Sequence, residues 1–182
     1  MKPFGTKEDF DKRIKRVLIT EQEIAAAIKQ AGKRLDALYD GHPLLLVGVL
    51  KGSFTFMADL TRAVTVPCEV DFMRAKSYCG TVSSGTVSVT VDLDRDISGY
   101  HVVVVEDIVD TGRTLCEIMS QLRGRNPLSL HAITLLDKPS RRLVDYEVDH
   151  ALFTVPDYFV IGYGLDYSEY YRNLPYIAEY EE

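Results

Sequence analysis

The chain has 182 residues, 46% hydrophobic and 26% charged, with a formal net charge of −6. That length supports one compact domain with a full core, and no apolar run approaches the ~18 residues needed to span a membrane. The negative balance argues against a protein that coats nucleic acid, which needs a basic face, yet leaves room for a local cationic pocket.

Residues 1–16 are mixed and charged, without the apolar run of a signal peptide, and read as a loosely held arm. Thr20 followed by Glu23 is a capping-box pattern. Behind it Ile24, Ala27, Ile28, Ala31, Leu35 and Leu38 recur at helical spacing, which predicts an amphipathic helix over 21–39. Residues 43–50 form a short apolar run, a buried strand; Lys51, Gly52 and Ser53 break it, and 54–64 resume with helical character. Residues 66–78 are strand-like, and the polar, glycine-flanked stretch 80–85 predicts a mobile loop. Residues 87–93 alternate valine with small polar residues, a strand with one wet face.

Gly99 and Tyr100 make a turn, 102–105 a core strand, 114–123 a helix and 128–136 another buried strand. Ser140, Arg141 and Arg142 form a basic loop and read as a solvated face. Short strands at 151–154 and 158–161 flank Pro156, and the aromatic tail 173–180 is expected to pack on the body. Strands alternating with helices imply an α/β fold with a mainly parallel sheet flanked by helices, as a single domain over 1–182. Cys68, Cys79 and Cys116 are scattered and form no CxxC pair, so free thiols in a cytoplasmic protein are expected.

Ligands bind such sheets beyond the carboxyl ends of the strands. Four segments fall there: Leu50 to Gly52, Glu106 to Thr114, Asp137 with Lys138, and the loop after Ile161. The second carries the most chemistry. Its core strand, VVVV, runs into Glu106 and Asp107, whose side chains point to opposite sides. Such carboxylates accept from hydroxyls or hold a hard cation. Asp110, Thr111, Gly112, Arg113 and Thr114 then open a helix, and helix-start amides with two threonine hydroxyls make an anion cradle. Acids for sugar hydroxyls beside amides for a phosphate describe a sugar-phosphate pocket. Neither GxGxxG nor GxxxxGK[ST] is present.

This stretch resembles the phosphoribosyl pyrophosphate loop of the type I phosphoribosyltransferases. Further segments are similar to the hypoxanthine-guanine branch of that family, in its order, from about Leu18 to Ile177: Leu50-Lys51-Gly52, Ser77-Tyr78 before the 80–85 loop, LLDKP at 135–139, and FVIGYGLDY at 159–167 with Arg172. The resemblance implies a type I phosphoribosyltransferase fold, with a small hood formed by the chain ends and a mobile lid over about 77–88. It implies purine salvage, in which phosphoribosyl passes from phosphoribosyl pyrophosphate to hypoxanthine or guanine.

By the same resemblance Glu106 and Asp107 hold the ribose hydroxyls, and Asp110 to Thr114 hold the 5-phosphate. Lys51, Gly52 and Arg172 bind pyrophosphate; Lys138, Phe159, Val160 and Asp166 bind the purine; Ser77 and Tyr78 belong to the lid. Magnesium is expected at Glu106, Asp107 and Asp166, and Asp110 is the candidate proton acceptor. A homodimer or homotetramer is implied, with no nucleic-acid or membrane partner. Lys138 suits a purine 6-oxo group and is repelled by the donor that adenine carries there. A phosphoribosyltransferase-like regulator that binds nucleic acid is the competing class; the net charge and the joint presence of Lys138 and Phe159 favour the enzyme.

Overall fold

The computed structural model describes residues 12–77 and 87–181. Tyr78, Cys79 and the predicted loop at 80–85 lie outside the described residues. In chain order the elements are β1 (Ile14–Ile19), α1 (Glu21–Tyr39), β2 (Leu44–Leu50), α2 (Phe54–Ala63), β3 (Cys68–Ser77), β4 (Val87–Val91), β5 (His101–Val109), α3 (Arg113–Arg123), β6 (Ser129–Asp137), a 3-10 turn (Pro139–Arg141), β7 (His150–Thr154), β8 (Val160–Ile161) and β9 (Ile177–Tyr180).

Helix α1 starts where the capping pattern places it. The Thr20 hydroxyl accepts from the Glu23 amide at 3.3 Å, and the Glu23 carboxylate accepts from the Thr20 amide at 2.8 Å. Its stripe of Ile24, Ile28, Ala31 and Leu35 is buried against the sheet, about 1.5–3 kcal/mol for each large aliphatic side chain removed from water.

The main sheet has the order β4-β3-β2-β5-β6-β7. Every pairing is parallel except β3 with β4. Strands β2 and β5 lie centrally and are apolar on both faces, because each face is covered. Leu44, Leu46, Val103 and Val105 meet α1 and α2 on one side; Leu45, Val47, Val102 and Val104 meet α3 on the other. From β2 the chain winds outward through α2 to β3 and β4, then returns to lay β5 on the opposite edge of β2. The switch point is therefore between β2 and β5, where such sheets open a crevice.

A second sheet, β1-β9-β8, forms the hood. It corrects the loose-arm reading for residues 14–16, since Ile14 to Ile19 pair antiparallel with β9, while residues 1–11 lie outside the described residues. Arg16 also bonds Glu179 at 2.9 Å. Cys68 and Cys116 are free thiols, and no described helix is long and apolar enough to cross a membrane.

Candidate active site

At the switch point β2 and β5 part company. Their pairing ends at Gly48 opposite Val105, whereas β5 stays paired with β6 as far as Val109 opposite Asp137. Glu106 and Asp107 thus lie within a strand and not at its end, which corrects the boundary read at Val105. The ladder with β6 carries the backbone past the acids, and polar side chains do not stop a strand whose amides are satisfied.

The two acids are poorly compensated. Glu106 is buried, and its Oε2 has no hydrogen-bond partner among the described residues. Burial pushes its carboxyl well above the usual carboxylate range, and the adjacent Asp107 charge adds to the shift. Asp107 is raised as well, chiefly by burial, with its bonds to Glu106 and the Ile108 amide and the Arg172 charge pulling it back. Its carboxylate rests on the backbone of Gly52: a Cβ built there would lie 1.5 Å from Asp107 Oδ2. Only glycine permits this contact between the loop after β2 and the acids of β5.

Beyond the acids lies a cavity of about 160 Å³, lined by residues 106–112, Thr114 and Leu115. Gly112 begins α3 with φ of +81°, a backbone state open to glycine at no steric cost. The loop carbonyls are held from behind. Arg142 Nη1 donates to Asp110 O at 2.7 Å and Val109 O at 3.2 Å, and the Leu143 amide donates to Thr111 O at 3.0 Å. Arg142 Nη2 pairs with Asp137, and both side chains are largely buried. Arg142 is therefore a strap on the loop that opens α3, and the reading of it as a solvated face is corrected. Arg141 is about half exposed but also committed: its Nε lies 2.7 Å from Asp110 Oδ1 and its Nη1 3.2 Å from Asp157.

After β6, Lys138 is buried and donates from Nζ to the Tyr158 carbonyl. Burial lowers its pKa, with Asp110 and Asp157 opposing the shift. Phe159 is 38% exposed, its edge set against Tyr167 at 5.9 Å, and Val160 beneath it is buried in β8. On the loop after β2, Lys51 bonds Glu169 at 2.9 Å. Arg172 donates to Gly164 O at 2.7 Å and pairs with Asp166 at 2.8 Å and Glu169 at 3.3 Å. Lys51 and Gly52 follow a cis Leu50–Lys51 peptide. Ser77 ends β3 opposite Val87.

The fold thus joins Gly52 to Asp107, and Asp110 to Arg141 and Asp157. It does not gather Glu106, Asp107 and Asp166 into one ligand set: no group of three such side chains converges among the described residues, and Asp166 faces Arg172. Sequence reasoning missed Glu169 and Asp157 and the roles of Asp137, Arg141 and Arg142. The signal for Glu169 was its place between Asp166 and Arg172. The arginines stand three and four positions after Lys138 but carried no motif of their own.

Comparison with known proteins agrees with this geometry. Residues 13–168 match the phosphoribosyl transferase domain model. The chain is 48% identical over 170 residues to a hypoxanthine-guanine phosphoribosyltransferase of Streptococcus pneumoniae, covering 93% of this chain and 94% of the relative. It is 50% identical over 166 residues to a hypoxanthine phosphoribosyltransferase of Salmonella typhimurium, covering 90% and 93%. The crystal structure of a hypoxanthine phosphoribosyltransferase from Staphylococcus aureus superposes with a TM-score of 0.91 at 43% identity, covering 97% of each chain. With the acid pair at the switch point and the anion cradle beside it, these likenesses show that the chain belongs to the phosphoribosyl transferase family, in its hypoxanthine-guanine branch.

Proposed function

We propose that this chain transfers phosphoribosyl from phosphoribosyl pyrophosphate to hypoxanthine or guanine, giving the nucleoside monophosphate and pyrophosphate. The observation that carries this reading is the contact of Gly52 with Asp107. It brings the pyrophosphate loop onto the ribose acids, with the phosphate cradle next along the same strand.

In the reaction a bond forms between a purine nitrogen and the anomeric carbon while the carbon–oxygen bond to pyrophosphate breaks. Glu106 and Asp107 accept from the ribose hydroxyls. The cradle from Asp110 to Thr114 holds the 5-phosphate through helix-start amides and the Thr111 and Thr114 hydroxyls. Lys138 donates to the 6-oxo group, and Phe159 offers its exposed face to the ring. Asp110 accepts the proton that the purine nitrogen loses; Arg141 approaches its Oδ1, which leaves Oδ2 for the task. Lys51, Gly52 and Arg172 take the developing charge on pyrophosphate.

The orphaned Glu106 oxygen suits a hard cation. With two adjacent carboxylates and no third protein ligand among the described residues, the site fits magnesium, which keeps several water or substrate oxygens. Glu106 and Asp107 would hold it, and it supplies counter-charge to the pyrophosphate oxygens. The assembly is a homodimer or homotetramer, which sedimentation velocity distinguishes.

A steady-state assay with phosphoribosyl pyrophosphate, magnesium and each of hypoxanthine, guanine, xanthine and adenine tests the reading. Transfer to hypoxanthine and guanine but not to adenine is expected. No transfer to any purine, or a preference for adenine, overturns it.

A further inference from the structure

The two cations assigned to pyrophosphate already share an anion. Lys51 Nζ and Arg172 Nη2 lie 2.9 Å and 3.3 Å from one and the same oxygen, Oε2 of Glu169. Lys51 stands on the loop after β2 and Arg172 ahead of β9, so this one oxygen joins the two walls of the pyrophosphate site.

The turn that delivers Glu169 is unusual. Ser168, Glu169 and Tyr171 have φ of 52°, 72° and 73°, a left-handed region that residues other than glycine seldom occupy and that marks functional turns. Asp166 pins the turn, accepting the Glu169 amide at 2.7 Å through Oδ2 while Oδ1 meets Arg172. Arg172 Nε is buried without an acceptor among the described residues. The ion pair itself is easily exchanged: the Glu169 side chain is 62% exposed and that of Lys51 48%, and such pairs are weak in water.

We propose that Glu169 is an internal substitute for pyrophosphate. It neutralises Lys51 and Arg172 in the free protein, is displaced when a diphosphate arrives, and returns to the cations as the diphosphate leaves. The carboxylate thereby lowers affinity for pyrophosphate and speeds its release. This rests on the pyrophosphate role given to Lys51 and Arg172 above.

The test is calorimetric titration of magnesium pyrophosphate into wild type, Glu169→Gln and Glu169→Asn. Asparagine keeps the tolerance for a left-handed φ, so the pair of variants separates the carboxylate from the turn. Asp40→Asn, at the far end of α1, controls for the loss of one negative charge. Both Glu169 variants are expected to bind pyrophosphate about threefold to tenfold more tightly than wild type, with slower dissociation in stopped flow and stronger product inhibition. Asp40→Asn is expected to bind as wild type does. Equal or weaker binding by both Glu169 variants overturns the proposal, because Glu169 then aligns the cations instead of competing for them. Phosphoribosyl transfer by wild type, measured alongside, shows whether the underlying reading of the site has failed instead.

Discussion

Arg141 joins Asp110 to Asp157, its Nε 2.7 Å from the first carboxylate and its Nη1 3.2 Å from the second. It ties the phosphate loop to the segment that leads into Phe159. Replacing Arg141 with glutamine releases both carboxylates. Because all three side chains are 40–53% exposed, the effect is modest. The KM for hypoxanthine should rise about twofold to fivefold, while phosphoribosyl pyrophosphate binding stays as it was. A change confined to the sugar substrate would refute the tie.

Asp110→Asn keeps the shape and removes the proton acceptor. Turnover should fall by about 10²–10⁴, with phosphoribosyl pyrophosphate still bound in a direct titration. Unchanged turnover would exclude Asp110 from the proton transfer.

Lys138→Ala deletes a buried donor and leaves the Tyr158 carbonyl without its partner. Hydrogen bonds to charged groups carry about 1.5–3 kcal/mol, so kcat/KM for hypoxanthine should drop roughly tenfold to hundredfold. The preference over adenine should narrow with it. An unaltered hypoxanthine-to-adenine ratio would place the selectivity elsewhere.

Gly52→Ala has nowhere to put its methyl group, since Asp107 Oδ2 occupies the position at 1.5 Å. Either the loop or the carboxylate must move, and displacement of about 1 Å at a reacting site costs on the order of 10²-fold. The loss should be read in kcat/KM for phosphoribosyl pyrophosphate, with a melting curve confirming that the variant folds. Wild-type efficiency would mean that the contact is dispensable.

Glu106 is held in the fold with its pKa raised by burial. A group raised in the folded state contributes stability below its unfolded pKa and loses it as pH climbs through the folded value. The free protein should therefore weaken as pH rises from about 4 towards 8, and Glu106→Gln should escape that loss. Its Tm should exceed that of wild type at pH 8, by about 2–4 °C for each kcal/mol relieved. The gap should close near pH 4. The same variant should bind phosphoribosyl pyrophosphate less well, and equal Tm values across the range would contradict the burial argument.

Much of this was legible beforehand, for identifiable reasons. The β5–α3 unit has an uninterrupted apolar strand, two acids and a loop ending in a helix, all contiguous, so local pattern sufficed. The hood was not. β1 reads IKRVLI, with Lys15, Arg16 and Val17 exposed, and its partner lies at the other end of the described chain. A half-solvated edge of that kind carries little period-2 signal. The ion pairs were hidden for a related reason: Lys51 with Glu169 is set by how two loops meet, and no spacing within either loop encodes it. The end of β5 was misplaced because polarity was taken as a stop, whereas the backbone ladder with β6 decides it.

The hood also divides the pocket into a local half and a long-range half. The phosphate half is built from residues 106–115, close in sequence and cheap to close. The purine half rests on β8, which is held by β9, which is zipped to β1 through contacts such as Arg16 with Glu179, 163 positions apart. Pairings that distant carry a larger loop-closure cost than contacts within one loop. The cradle at 106–115 thus rests on neighbours in sequence, while the β8 wall that carries Val160 rests on strands drawn from distant parts of the chain.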